Sequence, residues 1–198
     1  MSEERYPAFG KIPRHRRSIT ITEKIDGSNG LIFIEQHPEI LDEYHIRAGG
    51  RNRWLAPGKE TDNHGFAQWV ETNKATLAQD LGPGHHYGEW WGNGINRGYG
   101  LARGDKRFSL FNVTRWFETQ FLTPSLGHVP AMSGNIPWEK AETSIEEALV
   151  HLREVGSWAA HGYMNPEGII IFKHSNNTLS KITLERDDEY KDKKTSKV

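Results

Sequence analysis

The 198-residue chain contains no cysteine. That excludes a disulfide scaffold, a cysteine-ligated zinc or iron–sulfur centre, and a thiol nucleophile. No stretch approaches the ~18 consecutive apolar residues that a membrane helix needs, so no membrane partner is expected. The opening MSEERYPAFG places acids first and has no apolar segment, so no signal peptide is legible and a cytoplasmic location is the expectation. An excess of one charge is also missing, with 25 Lys+Arg against 26 Asp+Glu. Disorder driven by self-repulsion is therefore excluded, and any basic surface for nucleic acid must be local. Apolar residues are sparse at 35%, but 11% aromatics, with seven Trp, supply enough bulk for a core. The length fits one domain.

The hydrophobic pattern reads mainly as strands. Residues 18–25 alternate Ile19, Ile21 and Glu23 with Thr20, Thr22 and Lys24, then break at Asp26-Gly27. Residues 31–34 are almost wholly apolar, and the intervening Gly and Asn are turn formers, so 19–34 reads as strand, tight turn, strand. A short strand is expected at 45–48. Phe66, Trp69, Val70, Leu77 and Leu81 fall at helical spacing, with Asp62 or Asn63 as cap and Gly82-Pro83 as stop. Strands at 86–91 and 108–113 flank a loop containing Gly92, Gly94, Gly98 and Gly100. Residues 118–138 carry three prolines without a clear period and read as loop. Ser144 with Glu147 is a capping-box signal for a helix over 145–155. Two more strands, 168–172 and 179–184, precede a charged tail, 187–198, expected to be mobile. This order predicts an α+β fold of antiparallel sheets with flanking helices, as one domain over 1–186.

Four places could carry chemistry. Lys24 ends a strand beside a glycine turn, where its amine would sit at the mouth of a cleft; as a nucleophile it must shed its proton. Glu89, in Tyr87-Gly88-Glu89-Trp90-Trp91-Gly92, could accept hydrogen bonds from a ribose. Glu167 opens an apolar strand and could hold a hard divalent cation. Lys181, inside an apolar strand, suits an anionic partner such as phosphate. Each also has an ordinary reading as a strand-end or solvent-facing charge. His85-His86 with Glu89 suggests a metal hydrolase, but neighbouring strand residues face opposite ways, and no HExxH helix accompanies them.

Taken together, the four resemble the covalent nucleotidyltransferase superfamily of RNA ligases, DNA ligases and capping enzymes. EKIDGSNG looks like its nucleophile motif, YGEWWG its third motif, EGIII its fourth and SKIT its fifth. The stretch TEKIDGSNG is similar to the nick-sealing RNA ligases of bacteriophages and trypanosome RNA editing, which share the Glu and Asn seen here as Glu23 and Asn29. DNA ligases usually carry Arg where Gly30 stands. Gly50-Arg51-Asn52-Arg53 resembles the following Ser-Arg motif, with Gly50 replacing Ser. Phe111-Asn112 resembles an aromatic motif that usually continues with Asp. Thr183 replaces a second lysine, for which Lys173 could compensate.

The resemblance implies a nucleotide cleft between antiparallel sheets (an ATP-grasp-like ligase domain) and an ATP-dependent RNA ligase. Lys24 would be the catalytic nucleophile. Glu23, Asn29, Arg51, Glu89, Phe111 and Lys181 would hold the nucleotide or align the RNA, and Glu167 would hold Mg2+ or Mn2+. It also implies that the usual C-terminal OB or helical domain is missing. RNA would then be gripped by this domain, by Arg14, Arg16 and Arg17 with the tail lysines, or by an accessory protein. A DNA ligase, a GTP-using capping-type transferase and a catalytically reduced nucleotide- or RNA-binding module are the alternatives.

Overall fold

The structure, a computed structural model, describes residues 17–40 and 43–185. Arg14, Arg16 and the 187–198 tail lie outside the described residues. The chain runs β1 (Ser18–Lys24), β2 (Ser28–Gln36), β3 (Tyr44–Gly49), β4 (Trp54–Leu55), α1 (Phe66–Thr72), α2 (Lys74–Leu81) and β5 (Gly84–Gly92). It continues through β6 (Lys106–Leu110), α3 (Val113–Trp116), β7 (Leu126–His128), β8 (Ala131–Pro137), α4 (Ala141–Glu154), β9 (Gly168–Lys173) and β10 (Thr178–Thr183). Two sheets result: four strands in the order β10-β9-β1-β8, and six in the order β4-β3-β2-β5-β6-β7. Every pairing is antiparallel except the short β6–β7 contact. The α+β expectation holds.

The alternation in β1 explains its position. Ile19 and Ile21 are buried against α4 through Ala148, Leu149 and Leu152, while Thr20, Thr22 and Lys24 face a cavity. Likewise Ile32 and Ile34 of β2 pack with Phe66, Val70 and Leu77 of α1 and α2, leaving Asn29, Leu31 and Phe33 on the other face. A third cluster, Ile25, Trp91, Tyr99, Val113 and Val129, closes one side of the cavity.

Several sequence expectations need correction. The strands around Asp26-Gly27 do not pair with each other: β1 joins the four-stranded sheet and β2 the six-stranded one. The turn is a crossing between sheets. The 118–138 loop contains β7 and β8, and β8 pairs with β1; its irregular register and Gly134 conceal the period. The helix after Asn63 is broken at Asn73, whose side-chain amide takes the Trp69 carbonyl at 2.7 Å and competes with the helix ladder. Asp62 does cap it, accepting the backbone N–H of Ala67 at 2.7 Å and of Gln68 at 3.0 Å. Ser144 caps nothing: a 3-10 turn over Trp138–Lys140 delivers the chain directly into α4 at Ala141. The 108–113 strand ends at Leu110, because Asn112 accepts the Arg115 N–H and starts α3.

Candidate active site

Three strand ends converge at Lys24. Gly168 is opposite Lys24 on one side and Thr183 on the other, so the last residue of β1 and the first of β9 share one edge of the sheet. Gly168 has φ +152°, and a Cβ there would lie 2.1 Å from the Ile182 carbonyl oxygen, so only glycine lets β10 approach this closely. Glu167 immediately precedes it. The Lys24 Nζ donates a hydrogen bond to Glu167 Oε2 and forms an ion pair with it, the two side chains being 22% and 18% exposed.

Glu89 reaches the same place from the six-stranded sheet. It stands opposite Asn29 in the β2–β5 register and accepts the Gly27 backbone N–H at 3.1 Å. Gly27 has no room for a side chain: a Cβ would sit 2.5 Å from the Trp90 carbonyl oxygen. Burial pushes the Glu89 carboxyl up to about 7; the Lys24 ammonium and the Gly27 N–H pull it down, and the charges on Glu167 and Asp26 push it up. Asn29 Oδ1 accepts from Arg51 Nε at 2.8 Å and Nη2 at 2.6 Å, which holds the guanidinium at the rim.

These groups line one cavity of about 760 Å³ between the sheets. Lys24, Asn29, Arg51, Glu89, Phe111 and Lys181 all border it, and Glu167 enters through its bond to Lys24. Phe111 is half-exposed, fixed by its N–H bond to the Tyr87 carbonyl at 3.0 Å. Lys181 is exposed, on the same face of β10 as Leu179.

Glu23, beside Lys24 on β1, is held differently. It is 1% exposed, and its carboxylate accepts Ser157 Oγ at 2.7 Å and the Ala159 N–H at 2.9 Å. Although the residue borders the cavity, both oxygens are engaged on the face of β1 opposite Lys24. Burial pushes its carboxyl up, and the Ser157 and Ala159 bonds oppose that. Lys173 cannot replace the lysine missing at Thr183. It stands at the far end of β9 from Glu167, in register with the core-facing Ile169 and Ile171. His85 and His86 do face opposite ways: His86 is buried on the Gly82 carbonyl at 2.9 Å, and burial pushes its imidazole down.

A clamp from the glycine-rich loop was not anticipated. Arg97 Nε donates to Asp26 Oδ2 at 3.1 Å, and its Nη1 reaches the Asn165 carbonyl at 3.2 Å and Glu185 at 2.8 Å. Asn96 donates to Asp26 Oδ1 and to the Gly27 carbonyl, and Tyr99 OH accepts the Asp26 N–H at 2.9 Å. The loop thus ties the turn after Lys24 to the segment before Glu167. Its signal was the density of left-handed residues: Gly92, Gly94, Asn96, Gly98, Tyr99 and Gly100 all have positive φ.

A lysine on a strand end, two carboxylates from different sheets and an aromatic ring thus meet around one cleft. The RNA ligase family model matches residues 17–183, and the chain belongs to that family. Among solved structures, it is similar to an RNA ligase of Naegleria gruberi. One variant of that ligase, with ATP and Mn, aligns at TM-score 0.56 and 18% identity over 94% of this chain and 60% of the other. A second, without ligand, aligns at TM-score 0.54 and 18% identity over 90% and 57%. The chain therefore spans little more than half the length of these ligases. No curated protein matches it.

Among the described residues no helix is long and apolar enough to cross a membrane. No group of three or more His, Asp or Glu among them could hold a metal ion by itself. Glu167 and Glu89 each bring a carboxylate close to Lys24, the oxygen-donor type of which a magnesium-like ion takes one or two while keeping phosphate and water in its shell.

Proposed function

We propose that this chain is the nucleotidyltransferase unit of an ATP-dependent RNA ligase that joins a 5′-phosphate to a 3′-hydroxyl through a lysyl-AMP and an adenylated RNA. The observation that carries this reading is the Lys24 amine, bonded to Glu167, opening into a cavity that also presents Asn29, Arg51, Glu89, Phe111 and Lys181. Family membership and the Naegleria ligase with ATP and Mn support it.

In the first step Lys24 nitrogen, its proton given up to water, bonds to the α-phosphorus of ATP as the bond to pyrophosphate breaks. A 5′-phosphate oxygen of RNA then displaces the lysine, giving an RNA–AMP anhydride. Finally a 3′-hydroxyl attacks that 5′-phosphate, loses its proton and releases AMP. Each step is an in-line displacement in which positioning and charge neutralisation supply most of the rate.

The chain's residues divide this work. Phe111 stacks on the base, a contact worth about 1–3 kcal/mol. Glu89 accepts a ribose hydroxyl, while Lys181 and Arg51 meet phosphate oxygens. Asn29 orients Arg51 and the incoming 3′-hydroxyl. Glu167, with Glu89, would hold the divalent metal, which supplies charge neutralisation on the phosphates. Glu23 acts through the backbone, fixing the end of β1. The test is sealing of nicked duplexes with RNA or DNA at the nick, given ATP or GTP. Sealing of the RNA nick with ATP is expected. Sealing that requires GTP or accepts only DNA contradicts the reading.

A further inference from the structure

The cavity does not end at the nucleotide site; it opens onto a row of exposed rings. Along β5, Tyr87 lies two residues from Glu89, so both side chains leave the same face of the strand. Tyr87 is 57% exposed and lies nearly parallel to His85, with centroids 6.4 Å apart and planes at 13°. His85 meets Phe33 of β2 at 4.7 Å, and Phe33 meets Trp54 of β4 at 6.0 Å. Trp54 is 45% exposed, and the Arg47 guanidinium lies 4.0 Å from its ring centroid. The row crosses the face of the six-stranded sheet opposite α1 and α2, starting in the reactive cleft.

Two large half-exposed rings joined by two more make a contiguous patch that burial elsewhere does not explain. Its charge selects the occupant. Arg47 and Arg51 lie on or beside it with His45 and His85, whereas the acids on this face, Glu35 and Glu89, stand at its two ends. Rings interleaved with cations on an open sheet stack bases and track phosphates, with little dependence on sequence.

We infer that Tyr87, His85, Phe33, Trp54 and Arg47 form a stacking platform for single-stranded RNA that leads a strand end into the Lys24 cavity. The inference rests on the ligase reading for what the strand is for, but the binding itself can be measured without catalysis.

The experiment uses a fluorescein-labelled single-stranded RNA with hydroxyls at both ends, in the absence of ATP, followed by anisotropy. Trp54→Ala combined with Arg47→Ala should weaken binding more than tenfold and flatten its salt dependence. Trp54→Phe should recover most of the affinity lost in Trp54→Ala, a rescue that separates stacking from misfolding. AMP transfer from ATP to the protein should stay within twofold in all three variants. No RNA binding by the unaltered protein, or equal affinity in the double variant, overturns the platform; the second result would leave the patch to a protein partner. Failure of the unaltered protein to take up AMP would instead overturn the ligase reading and leave the RNA comparison interpretable.

Discussion

Lys24 and Glu167 are 143 positions apart in the chain yet share an ion pair at the end of adjacent strands. The pair exists because β1 ends where β9 begins, with Gly168 in register with Lys24. The sheet edge holds the amine on a rigid support and brings a carboxylate from a distant part of the chain against it.

The turn after Lys24 should tolerate no side chain at Gly27. Gly27→Ala puts a methyl within 2.5 Å of the Trp90 carbonyl oxygen, and it also disturbs the N–H bonded to Glu89. AMP transfer should fall at least about 100-fold, since a displacement of about an ångström at a reacting group has that effect. The melting temperature should drop by several degrees. Single-turnover labelling and thermal melting check the two parts.

The glycine-loop clamp positions rather than reacts. Arg97→Lys keeps the charge but loses the fork that spans Asp26, Asn165 and Glu185; lysine cannot reproduce that geometry. A tenfold or greater loss in the rate of AMP transfer is expected, with little change in the apparent KM for ATP. A loss confined to KM would place Arg97 on the nucleotide instead.

Glu23 and Ser157 form a buried contact that should report on stability. Ser157→Ala leaves the Glu23 oxygen without its 2.7 Å donor, and an unsatisfied buried acceptor costs about 1–3 kcal/mol. Denaturant melts should show that loss. AMP transfer at a permissive temperature should remain within a few-fold, which would not hold if Glu23 bound nucleotide directly.

Glu89 makes stability depend on pH. Its carboxyl ionises near 4.5 when unfolded and at about 7 when folded. Between those values the folded state holds a proton that the unfolded state has lost, so this group's contribution to stability falls as pH rises through the window. Glu89→Gln removes the effect. The variant should gain relative to the unaltered protein between pH 5 and pH 7.5, by roughly 1–3 kcal/mol. A constant difference across that range would contradict the assignment.

Much of the architecture was legible because it depended on local pattern. The period-two alternation of 18–24 and the apolar run at 31–34 mark the two strands that the structure shows as β1 and β2. Non-local effects were not legible. The sequence of β8 has no clean alternation because its pairing with β1 shifts register twice. The break at Asn73 depends on one side-chain hydrogen bond. The bond between Glu23 and Ser157 joins residues 134 positions apart, and nothing in the local pattern pairs them. The Arg97 clamp joins three segments distant in sequence, and its glycines signalled an unusual loop without saying what it would hold.

The most direct test weighs the intact protein after incubation with ATP and Mg2+, beside Lys24→Ala. The unaltered chain should gain the mass of one AMP, in a bond that acid cleaves, and the alanine variant should gain none while melting at nearly the same temperature. AMP on the alanine variant, or none on the unaltered chain, would contradict the assignment of the Lys24 amine as the nucleophile.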